Sequence, residues 1–163
     1  MRRVVIAFSA ACLLAAPAWA ADRLLDLRQP EVVAQTLREA GYKAEMKANS
    51  KGEPYVLSSA NGSAFTVEFY GCSGVKDCPS YQFRSWYKAD PLFTAGFAND
   101  WNWENRFLKI AIDADGDLNE YMDFSAIGKT TYANFVDSLD WYETMDADLT
   151  RFIEERRKAV AGK

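Results

Sequence analysis

Hydrophobic and polar positions change period several times along the chain, and each change marks an element. From Pro30, the apolar residues Val33, Leu37 and Ala40 recur at i, i+4 and i+7 with Val32 beside them. That is the stripe of a three-turn helix with one buried face. Pro30 suits the first helical position, where its missing N–H costs nothing. Glu31 suits the positive end of the helix dipole, and Gly41 suits the position just past the C-cap. Residues 21–29 read as a leader into this helix. Tyr42 to Ala48 then alternates weakly, as an edge strand does, and Asn49-Ser50-Lys51-Gly52 is turn chemistry. Pro54 to Ser59 is a second strand, with its proline at the start where a missing donor is tolerated. Asn61-Gly62 is a two-residue hairpin signal.

Phe65, Val67 and Phe69 alternate with Thr66, Glu68 and Tyr70, a third strand with one buried face. Tyr81, Phe83, Ser85 and Tyr87 alternate likewise in a fourth. Asp90 followed by Pro91 predicts an N-cap and first helical residue. Leu92, Phe93, Phe97 and Trp101 then lie on one side at helical spacing. Leu108, Ile110 and Ile112 form a fifth strand. Ala114-Asp115-Gly116-Asp117 turns, and Leu118, Glu120, Met122 and Phe124 return in a sixth. After Gly128, Thr130 or Thr131 can cap a last helix. Its apolar stripe runs from Tyr132 to Ile153, about six turns. The order is α-β-β-β-β-α-β-β-α. It predicts an α+β domain in which three helices pack on a mainly antiparallel sheet of about six strands.

The first twenty residues stand outside that pattern. Met1-Arg2-Arg3 is a short positive region, Val4 to Ala16 is apolar, and Ala18-Trp19-Ala20 is a small-residue cleavage site. This is the layout of a secretory signal peptide cut after Ala20. The apolar run is too short and too alanine-rich for a membrane span of about 20 residues. The expected organisation is therefore a signal peptide over residues 1–20 and one domain over residues 21–163. The expected location is the periplasm or the medium, with no membrane span after cleavage. Losing Arg2 and Arg3 takes the 19 basic side chains to 17 against 23 acidic ones, a formal charge of −6. Such a chain is a poor ligand for nucleic acid or anionic lipid. The residues are 49% apolar and 14% aromatic, ample for one core.

Cys12 leaves with the signal peptide. Cys72 and Cys78 remain, an even pair in an exported chain, and predict a disulfide stapling the turn between the third and fourth strands. Two cysteines without histidine are too few for a structural zinc site. C-x5-C is also not the spacing of a thiol oxidoreductase. The chain has no histidine at all. That removes Ser-His-Asp and Cys-His catalysis from this chain alone.

Three groups of residues invite a chemical reading. Asp113, Asp115, Asp117 and Asn119 alternate, with Glu120 and Asp123 near. An EF-hand, however, needs glycine where Leu118 stands and an acid where Phe124 stands. Asp115-Gly116 between two strands reads as a hairpin turn, and no metal or other cofactor is expected. Asp137, Asp140, Glu143, Asp146 and Asp148 alternate with the apolar stripe of the last helix and read as its solvated face. The third group is Asn99, Asn102, Trp103, Asn105 and Arg106, clustered with Trp101. Tryptophan, asparagine and arginine are what a binding hot spot or a sugar platform uses. They also finish a helix, where asparagine satisfies orphan backbone groups. On a helix Trp101 and Trp103 point about 200° apart. Leu92, Phe93 and Phe97 share the side of Trp101, so Trp101 is expected in the core and Trp103 exposed to a partner.

The segments F-x-V-x-F-Y-G-C, C-P-S-Y-Q-F, N-D-W-N-W-E-N-R-F and D-A-D-G-D resemble the YbjN family, over roughly residues 25 to 155. Members are labelled bacterial sensory transduction regulators, and their fold is similar to that of type III secretion chaperones. The resemblance implies a regulatory role without an established chemistry. Its exported branch carries the signal peptide and the two cysteines, as this chain does. Together these readings predict an exported, non-catalytic binding module of the cell envelope, chaperone-like or regulatory. It would bind a protein or peptide through its sheet or the Asn99–Arg106 corner. The alternative is a small-ligand or envelope-sugar binder. Monomer and homodimer are both left open.

Overall fold

A computed structural model describes residues 23–162. The expected signal peptide lies outside the described residues. The chain runs β1 (Leu24–Leu25), α1 (Pro30–Glu39), β2 (Ala44–Ala48), β3 (Pro54–Ala60), β4 (Ser63–Tyr70), β5 (Ser80–Tyr87), α2 (Ala95–Glu104), β6 (Lys109–Ile112), β7 (Leu118–Ser125), β8 (Thr130–Thr131) and α3 (Tyr132–Ala161). Six strands form one antiparallel sheet in the order β2-β3-β4-β5-β7-β6. The fold is the expected α+β layer of helices on a mainly antiparallel sheet.

The hairpins form where the turn chemistry requires. Asn61 and Gly62 both adopt positive φ, 50° and 81°. Their twist matches that of the flanking strands, and β3 and β4 pair from Ala60↔Ser63 to Tyr55↔Glu68. Beyond β5 the chain leaves the sheet through α2 and returns as the edge strand β6. β7 then fills the place between them, pairing with β5 from Ser80↔Ser125 to Tyr87↔Leu118 and with β6 from Lys109↔Tyr121 to Ile112↔Leu118.

Register and burial together define two faces. Val56, Phe65, Val67, Phe69, Tyr81, Phe83, Leu118, Met122 and Ile110 are buried on the helix side. Phe83 is the hub of this layer. Its ring lies 5.4 Å from that of Tyr142, 6.1 Å from Phe135 and 5.1 Å from Phe124. Such edge and tilted pairs add to the area they bury. The opposite face carries Tyr55, Leu57, Glu68, Gln82, Arg84, Trp86, Asn119 and Tyr121, and among the described residues no helix covers it.

Two local expectations are corrected. Residues 21–29 are not only a leader, since Leu24 and Leu25 pair with Thr131 and Thr130 in a second, two-stranded sheet. Asp90 and Pro91 do not start α2. Asp90 makes a turn, accepting from Leu92 N–H at 2.9 Å through its side chain and from Phe93 N–H at 2.8 Å through its carbonyl. Arg157 of α3 holds the same carboxylate at 2.8 Å, so Asp90 ties the turn to α3. Thr94 is the N-cap instead, accepting from Phe97 N–H at 3.1 Å. The last helix, α3, runs on past its apolar stripe into the charged tail, 30 residues in all. Thr131 caps it, accepting from Asn134 N–H at 3.1 Å.

Candidate binding surfaces

The Asn99–Arg106 corner divides into residues that hold the fold and residues that face outward. Trp101 is 1% exposed, and its indole N–H donates to the Leu108 carbonyl at 3.1 Å. Trp103 is 88% exposed. The Asn102 side chain donates to the Ile110 carbonyl and accepts from the Ile110 N–H, both at 2.9 Å. It thereby stands in for a missing strand beside β6. Asn105 ends α2 and donates to the Trp101 carbonyl at 3.1 Å. Its own carbonyl and that of Asn102 accept from Lys109 at 2.7 and 3.0 Å. Asn99 and Arg106 are exposed. The Arg106 guanidinium lies 5.0 Å from the ring of Phe107, which in turn lies 4.9 Å from Trp141 of α3. The corner therefore presents Asn99, Trp103 and Arg106 to solvent, while Asn102 and Asn105 are engaged by backbone.

The second surface is the uncovered face of the sheet. A groove of about 640 Å³ runs across β3, β4 and β5. Trp86, half exposed at 51%, lies at one end, Leu57 and Thr66 form the floor, and Tyr55 and Tyr70 flank it. Asn49 and Glu53 from the β2–β3 turn close one side. Gly71, Cys72 and Gly74 close another. That wall is fixed covalently, because Cys72 and Cys78 form the expected disulfide. Gly71 adopts φ +68°, and a Cβ there would meet the Pro79 ring at 3.0 Å, so the wall folds back on itself only with glycine at this position.

A row of polar side chains is ordered beside the groove. Tyr70 Oη lies 3.2 Å from Glu68 Oε2 and 3.1 Å from Gln82 Oε1. Gln82 donates to Asp123 at 2.8 Å, and Arg84 to Asn119 at 2.6 Å. Burial first, then the charge of Glu68, push the Tyr70 phenol up to about 12, so it stays a donor. Residue pattern marked these strands as one-faced. It did not show that the second face would stay uncovered, because that depends on where all three helices land.

The acidic hairpin is occupied by its own backbone. Asp113 Oδ1 accepts from the N–H groups of Asp115 and Asp117, both at 3.0 Å, and Asp113 Oδ2 from Asn119 at 2.9 Å. The Asn119 carboxamide, with those amides, holds the Asp113 carboxyl below the usual range. Asp117 accepts from Lys88 and from Ala89 N–H, both at 2.8 Å.

One acidic pair was misplaced by pattern reading. Glu120 is wholly buried, and Asp146 is 6% exposed rather than part of a solvated face. Tyr142 donates to Glu120 Oε1 at 2.9 Å, while Oε2 has no partner. Asn61 donates to Asp146 at 2.9 Å, and Tyr87 lies 3.4 Å from it. Burial, then the charge of Asp146, push the Glu120 carboxyl up to about 8. The signal was present in both places. Glu120 shares the alternation of Leu118 and Met122, and Asp146 falls at i+4 from Tyr142 and three before Leu149.

A family model described as YbjN, "Putative bacterial sensory transduction regulator", matches residues 29–155, a span that includes the disulfide and the N-D-W-N-W-E-N-R-F corner. The chain belongs to the YbjN family. The match covers α1 through most of α3, and so both candidate surfaces. No curated protein matches the chain. As a YbjN chain it carries the family's regulatory description. Among its described residues no helix is long and apolar enough to cross a membrane.

Proposed function

We propose that this YbjN chain is an exported, non-catalytic binding module of the bacterial cell envelope, and that it recognises a protein or peptide segment through the open face of its sheet. Residues 1–20 act as a cleaved signal, and residues 21–163 form the single working domain in the periplasm or the medium. The observation that carries the binding reading is the groove itself. Among the described residues, a six-stranded sheet with its helices on one side presents aromatic rings, ordered polar side chains and a disulfide-pinned wall on the other. Concave sites of this kind bury a ligand's apolar surface while a few fixed polar groups orient it. Asn99, Trp103 and Arg106, with Asn102 and Asn105 holding the local backbone, supply a second contact area for a larger partner. The acidic pair Glu120–Asp146 lies between sheet and α3, out of reach of a substrate, which agrees with a regulatory role.

A sugar ligand is the second reading, favoured by the row Gln82–Asp123 and Arg84–Asn119 beside Trp86, since stacking rings and planar polar groups suit hydroxylated rings. One experiment separates the two. The processed protein, wild type and Trp86→Ala, is applied to a peptide array and a glycan array. Retention on peptides, lost with Trp86→Ala, is the expected outcome. Retention on glycans alone would replace the peptide reading. Intact-mass measurement of the exported protein checks the processing, with a chain starting at Ala21 expected.

A further inference from the structure

The groove on the sheet has a charge character that narrows its occupant. Two of its lining residues are acidic, Glu53 and Glu68, and none is basic. The rings of Tyr55, Tyr70 and Trp86 surround the same space. Aromatic faces are electron-rich and attract a cation held over them, the more so when water is excluded. Two cations beside the groove, on β2 and β5, have partners of their own. Lys47, opposite Tyr55 in register, is held by Glu45 at 2.7 Å. Arg84 donates to Asn119 at 2.6 Å and only grazes Glu68 at 3.5 Å. Glu68 is contacted by Tyr70 at 3.2 Å, Thr66 at 3.4 Å and Arg84 at 3.5 Å, all long contacts, so its carboxylate keeps acceptor capacity. The groove also crosses three strands, so an occupant has to be slender where it enters and extended where it lies.

We propose that this groove receives the cationic side chain of a lysine or arginine carried by an extended peptide segment, with Tyr55, Tyr70 and Trp86 packing its stem and Glu53 and Glu68 pairing its charge. The aliphatic stem of such a side chain buries against Leu57 and the rings while its head stays charged. An apolar residue would leave Glu53 without a counter-charge and Glu68 with only the distant Arg84 guanidinium at 3.5 Å, and an acidic one would be repelled. The inference rests on the sheet face being the peptide-binding surface, and it specifies the chemistry of what binds there. It also fits the acidic balance of the whole chain, which draws basic partners at long range and loses that pull as salt is added.

The test uses three blocked six-residue peptides in which valine alternates with lysine, with glutamine or with glutamate. Each is titrated into the protein by calorimetry and followed by amide NMR shifts. The lysine peptide is expected to bind, to perturb amides of β3, β4 and β5, and to weaken at least fivefold between 50 and 500 mM salt. The glutamine peptide is expected to bind at least tenfold more weakly and the glutamate peptide not at all. E53Q with E68Q is expected to weaken the lysine peptide at least tenfold, and Trp86→Ala at least fivefold. Both acids are at the surface, so an unchanged urea midpoint will report an intact fold. Should the double variant unfold, Trp86→Ala and the salt series carry the same test. Equal binding of the lysine and glutamine peptides, or a loss under twofold in the double variant, overturns the cationic site while leaving the peptide surface standing. Shifts confined to the Trp103 corner overturn the groove as the site. Failure of all three peptides overturns both readings together.

Discussion

The Asn102 side chain pairs with both backbone groups of Ile110, donating to the carbonyl and accepting from the N–H at 2.9 Å each. An exposed strand edge offers unpaired donors and acceptors to any other chain. Here a side chain from α2 closes the centre of the β6 edge, and the same helix is thereby fixed to the sheet. Asn102→Ala removes both bonds and leaves two backbone groups to find water at a half-buried site. The expected loss is about 1–3 kcal/mol by urea denaturation. Hydrogen exchange of the Ile110 amide is expected to accelerate in the variant, while that of Val67, deep in the sheet, changes only with global stability. An unchanged Ile110 exchange rate would show that the pairing adds nothing.

Trp101 and Trp103 differ by two positions and by nearly their whole exposure, 1% against 88%. Trp101 packs against Phe152 with ring centres 5.6 Å apart and satisfies its N–H on Leu108. Trp101→Ala therefore opens a large cavity and leaves the Leu108 carbonyl without its donor, for an expected cost of about 3–5 kcal/mol. Trp103→Ala, a surface truncation, is expected to stay within about 0.5 kcal/mol. Denaturation of both variants checks this. A destabilised Trp103→Ala beside a benign Trp101→Ala would reverse the facing.

This contrast marks how far the chain can be read without its fold. Period alone placed Trp101 inward, because helical spacing from Phe97 is a local property. The Asn61-Gly62 turn, the Gly41 helix end and the inward faces of β4, β5 and β7 follow from equally local rules. The start of α2 does not. Asp90 and Thr94 are both competent caps, and the choice falls to Thr94 because Arg157, far along the chain, holds Asp90. Pairing of Leu24–Leu25 with Thr130–Thr131 is likewise a contact between chain ends that two residues cannot announce. At the candidate sites the same division holds. Exposure of Trp103 was legible, and so was an asparagine closing the helix end, as Asn105 does, but the pairing of Asn102 was not, since its partner Ile110 lies on another strand. The groove was not legible either, because its lining comes from three separate stretches of the chain.

The disulfide closes a loop only six residues long in sequence separation, so the chain-entropy contribution is small, about 2 kcal/mol. Cys78 is nevertheless fully buried, and its N–H donates to the Arg28 carbonyl ahead of α1 at 2.9 Å. Replacing both cysteines by serine is expected to lower stability by about that amount and to leave the fold intact. Thiol labelling of native, unreduced protein is expected to find neither cysteine free. An unchanged melting midpoint in the double variant would deny the bond a structural role.

Glu120 and Asp146 make stability depend on pH in an uncommon direction. The carboxyl of Glu120 ionises near 4.5 in an unfolded chain and near 8 in the folded one, where burial and the charge of Asp146 oppose its ionisation. Between those values the unfolded state has released a proton that the folded state keeps. Each pH unit in that window then costs the folded state up to about 1.4 kcal/mol. The contribution is fully present below 4.5 and is lost as pH rises through 8. Other shifted carboxyls move the opposite way. Arg28 beside Asp26, and the Leu92 amide with Arg157 beside Asp90, hold those groups below the usual range, so their effect falls at acid pH and outside this window. Tyr142 and Tyr87, which also face the pair, are raised by burial and stay neutral throughout. Wild type is therefore expected to be less stable at pH 8 than at pH 5.5. Glu120→Gln keeps an acceptor for Tyr142 and a donor toward Asp146 but cannot ionise. Its profile is expected to be nearly flat, so that the variant overtakes wild type by on the order of 2–3 kcal/mol at pH 8. Urea midpoints of both proteins at pH 5.5, 6.5, 7.5 and 8.5 decide it. Parallel profiles would mean that Glu120 is ionised in the folded state at neutral pH, and that its unpaired oxygen is satisfied by something other than its own proton.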